Sequence, residues 1–233
     1  MRSGWLMAAL LALLVGCTSY GSGPASSRKE GFSMSDLAKS DIDKVTETHH
    51  RQMFASLRRL TLKFYRRNPA EWRKRGQASA EAAVADLFDR DHRWRLEALN
   101  YRRGAEAVQI ALNPDYRGDR VQALMAGLAG MVQIALGDRA AFYLLDEVDP
   151  QRLYNAARNF EIAAWKLAHA RDGDGRLLLL SNEAGPVANL SFEREFGRLI
   201  GSLDLLADIM AEREGRTISR VIQNAATAVF LPL

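Results

Sequence analysis

Along most of the chain apolar residues recur at spacings of three and four, the signature of helices with one buried face. Ile42, Val45, His49, Met53, Leu57, Leu60 and Phe64 fall on one such stripe. Ser35 with Asp36 supplies an N-cap before it, and Asn68-Pro69 stops it. Ser79-Ala80-Glu81-Ala82 opens an Ala-rich helix through Phe88. Residues 93–110 read as one broken helix or two, weakened in the middle by Gly104. Asn113-Pro114-Asp115 is a turn. The segment 117–136 is the most apolar, with Val121, Leu124, Met125, Leu128, Met131, Val132 and Leu136 on a wide face, and is expected at the centre of the fold. Its Gly127 and Gly130, three apart, leave room for a second helix to come close, and Gly137-Asp138 ends it.

Asp149-Pro150 starts the next helix, since proline suits the first helical position. It runs to about Ala170 with Leu153, Ala157, Phe160, Ala164 and Leu167 inward. Leu177 to Leu180 reads as a short buried helix, because no second alternating segment offers it a strand partner. Pro186 or Ser191 begins a helix to Glu214 that turns Phe192, Phe196, Leu199, Leu203, Leu206 and Met210 inward. Residues 217–230 predict a closing amphipathic helix, with Ile218, Val221, Ile222, Ala225 and Val229 on one face, and the apolar end Phe230-Leu231-Pro232-Leu233 is expected to dock into the domain. The sum is an all-α, multi-helix bundle. Asp138 and Asp172 lie 34 residues apart at helix-helix turns, the period of tetratricopeptide arrays. Stacked helical hairpins are therefore the alternative architecture, although large and small residues do not recur in register around the two aspartates.

With 48% apolar and 26% charged residues in 233, the chain can bury a real core and is neither disordered nor polytopic. A single Cys excludes a disulfide framework within the chain, and its position changes the picture. Arg2 is followed by an apolar run from Trp5 to Val15 and then by Leu14-Val15-Gly16-Cys17. The run of eleven residues is short of the roughly 20 that a membrane span needs, and it has the form of a signal peptide. Leu14-Val15-Gly16-Cys17 resembles the lipobox of bacterial lipoproteins. The resemblance implies that residues 1–16 are removed, that the Cys17 thiol carries a diacylglyceryl group and that its new amine is N-acylated. No other cofactor is expected. Each buried CH₂ contributes about 0.8 kcal/mol, so two or three chains hold a protein durably on a membrane. Thr18, where an Asp would argue for inner-membrane retention, points to the outer membrane, with the protein facing the periplasm. Residues 17–34 read as an acylated tether with an r.m.s. reach of roughly 20–25 Å, and residues 35–233 as the helical domain.

Charge is unevenly placed. Between Arg51 and Arg75 stand Arg51, Arg58, Arg59, Lys63, Arg66, Arg67, Arg73, Lys74 and Arg75 against one acid, Glu71. This segment carries +8, whereas the mature chain carries +3, so the remainder is acidic. Arg51, Arg58, Arg59 and Arg66 fall away from the Met53, Leu57, Phe64 stripe, on the solvent side. In a cytoplasmic protein such a patch would suit nucleic acid. The lipobox directs it instead to an anionic envelope component, such as phospholipid headgroups, lipopolysaccharide phosphates or cell-wall carboxylates, or to an envelope protein. The alternative is a solvated face paired with the domain's own acids.

Other chemistry is weakly signalled. Glu47-Thr48-His49-His50 holds one Glu-x-x-His, but a di-iron bundle needs a second copy and further Glu residues, and His92 and His169 stand apart. Asp172-Gly173-Asp174-Gly175 with Glu183 mimics a calcium loop, yet Arg176 and Leu177 occupy positions that need a ligand and a glycine. A polar turn explains it. There is no Gly-x-Ser-x-Gly and no phosphate-binding Gly-rich loop. The expectation is a membrane-tethered binding or scaffolding domain rather than an enzyme. The competing classes are a helical-repeat adaptor and an envelope enzyme whose site is assembled from distant residues.

Overall fold

The computed structural model describes residues 41–143, 146–183, 188–224 and 226–233. Cys17, the residues before it, the tether, the Ser35 cap and Pro186 lie outside the described residues. Seven α-helices are seen among those described: α1 Asp41–Arg67, α2 Pro69–Arg73, α3 Ala80–Phe88, α4 Ala105–Ala111, α5 Arg120–Ala135, α6 Pro150–His169 and α7 Ser191–Glu214. One 3-10 turn, Glu97–Leu99, precedes α4.

The starts of three helices follow from local chemistry. Ser79 accepts the Ala82 N–H at 3.0 Å, Asp119 the Gln122 N–H at 2.9 Å and Asp149 the Gln151 N–H at 2.9 Å. Such caps contribute about 1 kcal/mol each by satisfying donors that the first turn leaves free. Proline at the first position of α2 and of α6 removes one of those donors altogether.

Helices α1, α5, α6 and α7 form the bundle, each packing on its neighbours in a ring. The pairing of α1 with α7 is antiparallel, since Asp43 meets Arg213, His49 meets Ser202 and Phe64 meets Phe192. Helix α5 runs antiparallel to α1 as well, with its cap Asp119 against Tyr65. As its composition predicts, α5 is the core: Val121, Leu124, Met125, Leu128, Met131 and Val132 are fully buried, each contributing about 1.5–3 kcal/mol. The predicted α1 stripe is also realised at Met53, Leu57, Leu60 and Phe64, whereas Val45 is exposed.

Outside the ring, α3 packs on α1 and α4 on α5. The α4 contact is a backbone approach. A Cβ on Gly127 would sit 2.6 Å from Val108 Cγ2 and 2.8 Å from the Val108 nitrogen, and one on Gly130 would sit 2.8 Å from the Gly104 nitrogen. The two glycines therefore admit a second helix, as their spacing indicates.

Three segments depart from the sequence reading. Residues 93–104 are not helical apart from the 3-10 turn, and α4 begins only at Ala105. Residues 177–180 form no helix. They lie in a loop marked by an isolated bridge between Arg171 and Leu177, with Leu179 buried. Leu180 is held by Asn68, whose amide donates to the Leu180 carbonyl at 2.9 Å and accepts its N–H at 2.7 Å. The described residues of 217–230 contain no helix either, and Ile222 is 99% exposed. This segment lies along α6, held by side-chain amides, while Phe230 and Leu233 pack on the core, so the apolar end docks as expected. The 34-residue spacing joins unlike turns. Asp138 is a left-handed residue paired with Arg103, and Asp172 accepts the N–H groups of Asp174 and Arg176 in a tight polar turn.

Candidate functional site

The basic segment 51–75 spans α1, α2 and the turn after it, and its cations meet acids drawn from three other places in the chain and Glu71 of the segment itself. Arg58 forks onto Asp89 at 2.6 and 3.2 Å, Arg66 reaches Glu81 at 2.8 Å and Arg75 reaches Asp86 at 2.6 Å, all at α3 or its end. Arg67 pairs with Glu183 at 2.5 Å. Arg59 and Lys63 lie 3.6 and 3.8 Å from Glu195 of α7, a carboxylate that Arg198 also approaches at 3.2 Å. Lys74 donates to both oxygens of Glu71 at 2.8 Å. Arg51 bonds the Thr48 hydroxyl at 3.0 Å, and Arg73 lies over the Trp72 ring at 4.7 Å. Seven of the nine thus face an acid of the same domain, and Arg51 and Arg73 have no acid partner among the described residues.

Next to this segment is a buried polar junction. Tyr65 donates to Asp119 at 2.8 Å, and Glu71, itself buried, accepts the Arg120 N–H at 2.7 Å. The Arg120 guanidinium turns back to the carbonyls of Ala111, Asn113 and Pro114 at 2.6–3.0 Å, closing the end of α4. Burial pushes the Asp119 carboxyl and the Tyr65 hydroxyl up from their ordinary values, although the Gln122 N–H and the Tyr65 hydroxyl pull Asp119 back. Every group here is answered by another on a different element, the pattern of a structural joint.

The other histidines and carboxylates take local roles. Glu47 accepts the Phe142 N–H at 3.1 Å, and the His50 ring packs on Phe54 at 4.5 Å. Burial holds His50 below the usual imidazole range, although the nearby Gln133 side chain pulls the other way. His49 faces the Ser202 hydroxyl at 3.0 Å, and His169 stacks on Trp165 at 4.1 Å. Phe192 and Phe196 are core residues.

The most distinctive recess was not legible in the helical pattern. A cleft of about 520 Å³ opens between the loop 90–95 and the end of α5, walled by Arg93, Trp94, Arg95, Arg103, Gln133 and Asp138. His92 organises the loop. One ring nitrogen accepts the Trp94 N–H at 2.9 Å, so the other carries the proton and donates to the Leu87 carbonyl at 2.7 Å. Trp94, 9% exposed, is wedged among Phe54, Phe88 and His92 with ring centroids 5.2–5.5 Å apart. Across the mouth Arg103 forks onto Asp138 at 2.5 and 2.6 Å, and that pairing holds the Asp138 carboxyl below the usual carboxylate range. The available signal was the run Arg90-Asp91-His92-Arg93-Trp94-Arg95, where bases alternate with aromatic rings. No glycine or proline marked it as a loop.

Among the described residues no helix is long and apolar enough to cross a membrane, and no group of three or more His, Cys, Asp or Glu side chains is placed to hold a metal ion. No family model, curated protein or solved structure matches the chain.

Proposed function

We propose that the protein is a lipid-anchored component of a bacterial envelope, carried by acyl chains on Cys17 at the outer membrane, with its helical domain facing the periplasm as a binding or scaffolding module. The observation that carries this reading is Leu14-Val15-Gly16-Cys17 at the end of a short apolar run, with the chain's only cysteine at the cut. The all-helical domain supports it, because a bundle with a polar surface suits a module held beside a membrane. Its partner would be an anionic envelope component or an envelope protein. For the 51–75 face to bind such a partner, Arg58, Arg66 and Arg67 would exchange exposed intramolecular pairs for intermolecular ones. That exchange is inexpensive because exposed ion pairs contribute little.

The test is expression of the full chain in a bacterial host with labelled palmitate, beside Cys17→Ala. The wild type should incorporate label and fractionate with outer membrane, and the variant should remain as unlabelled precursor. A Cys17→Ala protein that is still acylated would defeat the reading.

A further inference from the structure

Five non-glycine residues among those described have a positive φ: Arg93 at 49°, Trp94 at 61°, Asn100 at 51°, Tyr101 at 59° and Asp138 at 61°. L side chains disfavour this region because Cβ crowds the backbone, and asparagine and aspartate alone tolerate it well. Three of the five line one recess, and the other two lie a few residues further along the same segment. Arg93, Trp94 and Asp138 line the cleft, and Asn100 and Tyr101 turn the same loop back toward it, with the Tyr101 carbonyl 3.5 Å from Arg95. Strain of this kind persists only where the surroundings impose it, and it gathers at binding sites. Here the His92 bonds to both sides of the loop and the ring cluster around Trp94 impose it.

What the strain achieves is the placement of charge. Arg93 and Arg95 are exposed at the cleft, and neither makes an ion pair within 4 Å among the described residues. The basic segment on α1 behaves differently, since most of its cations already face acids. Arg90 is shared with Asp86 at 2.7 Å, and Arg103 with Asp138. The lining therefore holds four guanidinium groups against the carboxylates of Asp91 and Asp138, an excess of two positive charges in a recess of small-molecule size. A phosphomonoester carries about −1.5 to −2 at neutral pH with three acceptor oxygens, and two planar guanidinium forks match that set of acceptors. A carboxylate would be met by one fork alone.

We propose that the cleft between loop 90–95 and the end of α5 binds a phosphomonoester group, with Arg93 and Arg95 donating to its oxygens and the Arg103–Asp138 pair fixing the opposite wall. This inference does not depend on acylation at Cys17, and failure of the Cys17→Ala test leaves it standing. The phosphoryl group could belong to a soluble metabolite or to a lipid headgroup.

The experiment uses the full chain in detergent, titrated calorimetrically with glycerol 3-phosphate at constant ionic strength. It is also floated with vesicles of phosphatidylcholine with and without phosphatidic acid. At least one probe should show saturable binding, and Arg93→Ala with Arg95→Ala should weaken it by about tenfold or more. The remote pair Arg194→Ala with Arg216→Ala should leave it within about twofold. Response to glycerol 3-phosphate marks a soluble ligand, and a gain confined to phosphatidic acid marks a headgroup. Arg93→Gly supplies the residue that the backbone prefers, so it should raise the unfolding midpoint while weakening binding. Binding of neither probe, binding indifferent to Arg93 and Arg95, or equal affinity for succinate would overturn the proposal.

Discussion

Asn159 and Leu231, 72 residues apart, are joined as two strands would be: the Asn159 amide donates to the Leu231 carbonyl at 2.9 Å and accepts its N–H at 2.6 Å. A side-chain amide presents a donor and an acceptor side by side, so it can replace a neighbouring strand for one residue. The device recurs between Gln151 and Ser219, at 3.1 and 2.8 Å, and between Asn68 and Leu180. Asn155 adds a bond to the Pro232 carbonyl at 2.8 Å. Gln151, Asn155 and Asn159 stand four apart on α6, so one helix face holds the C-terminal segment at Ser219, Leu231 and Pro232. Asn159 is fully buried, and Asn159→Ala leaves both Leu231 backbone groups unanswered. We expect a loss of about 2–3 kcal/mol. Denaturant unfolding gives the magnitude, and limited proteolysis should show residues 217–233 cleaved ahead of the domain.

Glycines in two helices should respond with opposite sign. Gly127→Ala drives a methyl into Val108, including its backbone nitrogen at 2.8 Å, so α4 must move away from α5. A cost of about 1–3 kcal/mol follows from forcing atoms into a packed contact. In α7, a Cβ at Gly197 or Gly201 meets nothing within 4 Å. Alanine there should stabilise the domain by about 0.5–1 kcal/mol, because glycine loses more backbone entropy on entering a helix. Thermal melts of the three variants check both signs. A stable Gly127→Ala protein would mean that α4 is held less closely than its geometry states.

The helices could be read from the sequence because their signals are local. Ser79 and Asp149 stand where the sequence starts α3 and α6, and the stripe from Met53 to Phe64 repeats within one element, whereas the Asp119 cap starts α5 three residues later than the apolar pattern from 117 indicates. The C-terminal segment misled for a physical reason. Ile218, Val221, Ile222 and Val229 repeat as a helix face would, but the backbone is claimed by amides on α6, some 70 residues earlier, which no local pattern reveals. The candidate site was half legible. The nine cations between Arg51 and Arg75 are visible as a run, yet their partners Asp86, Glu183 and Glu195 come from elements that only the fold brings near. The cleft was hidden more completely, because its loop is shaped by Trp94 and His92 contacts rather than by turn residues.

Stability should fall as the solution is acidified below neutrality. Burial lowers the pKa values of His49 and His50 from the ordinary value of 6.5. The folded state thus takes up protons at lower pH than the unfolded chain does. Between the folded value and 6.5 the unfolded chain binds more protons, so stability is present above 6.5 and is lost as pH falls through the folded values. The raised carboxyl of Asp119 acts with the opposite sign, and only at pH above the ordinary aspartate value of 3.8. Unfolding midpoints between pH 7 and 5 should decline for the wild type and flatten for His50→Gln. An unchanged slope in that variant would place the titrating group elsewhere.

The ion pairs of the basic segment should differ sharply in what they contribute, and burial decides which matter. Arg66 and Glu81 are 65% and 59% exposed at the side chain. Water and salt screen them, so Arg66→Ala should leave the unfolding midpoint unchanged. Glu71 has a side chain only 10% exposed and answers both the Lys74 ammonium and the Arg120 backbone N–H. Glu71→Ala leaves a buried N–H without an acceptor at the start of the core helix α5 and removes the partner of a half-covered cation. About 2–3 kcal/mol should be lost. Glu71→Gln can still accept from the Arg120 N–H, so it should recover part of the loss. Denaturant unfolding of the three variants in low and high salt separates the contributions. The Glu71 effect should persist in high salt because the buried hydrogen bond is beyond the reach of screening ions, whereas an effect that vanished with salt would reduce Glu71 to an ordinary surface charge.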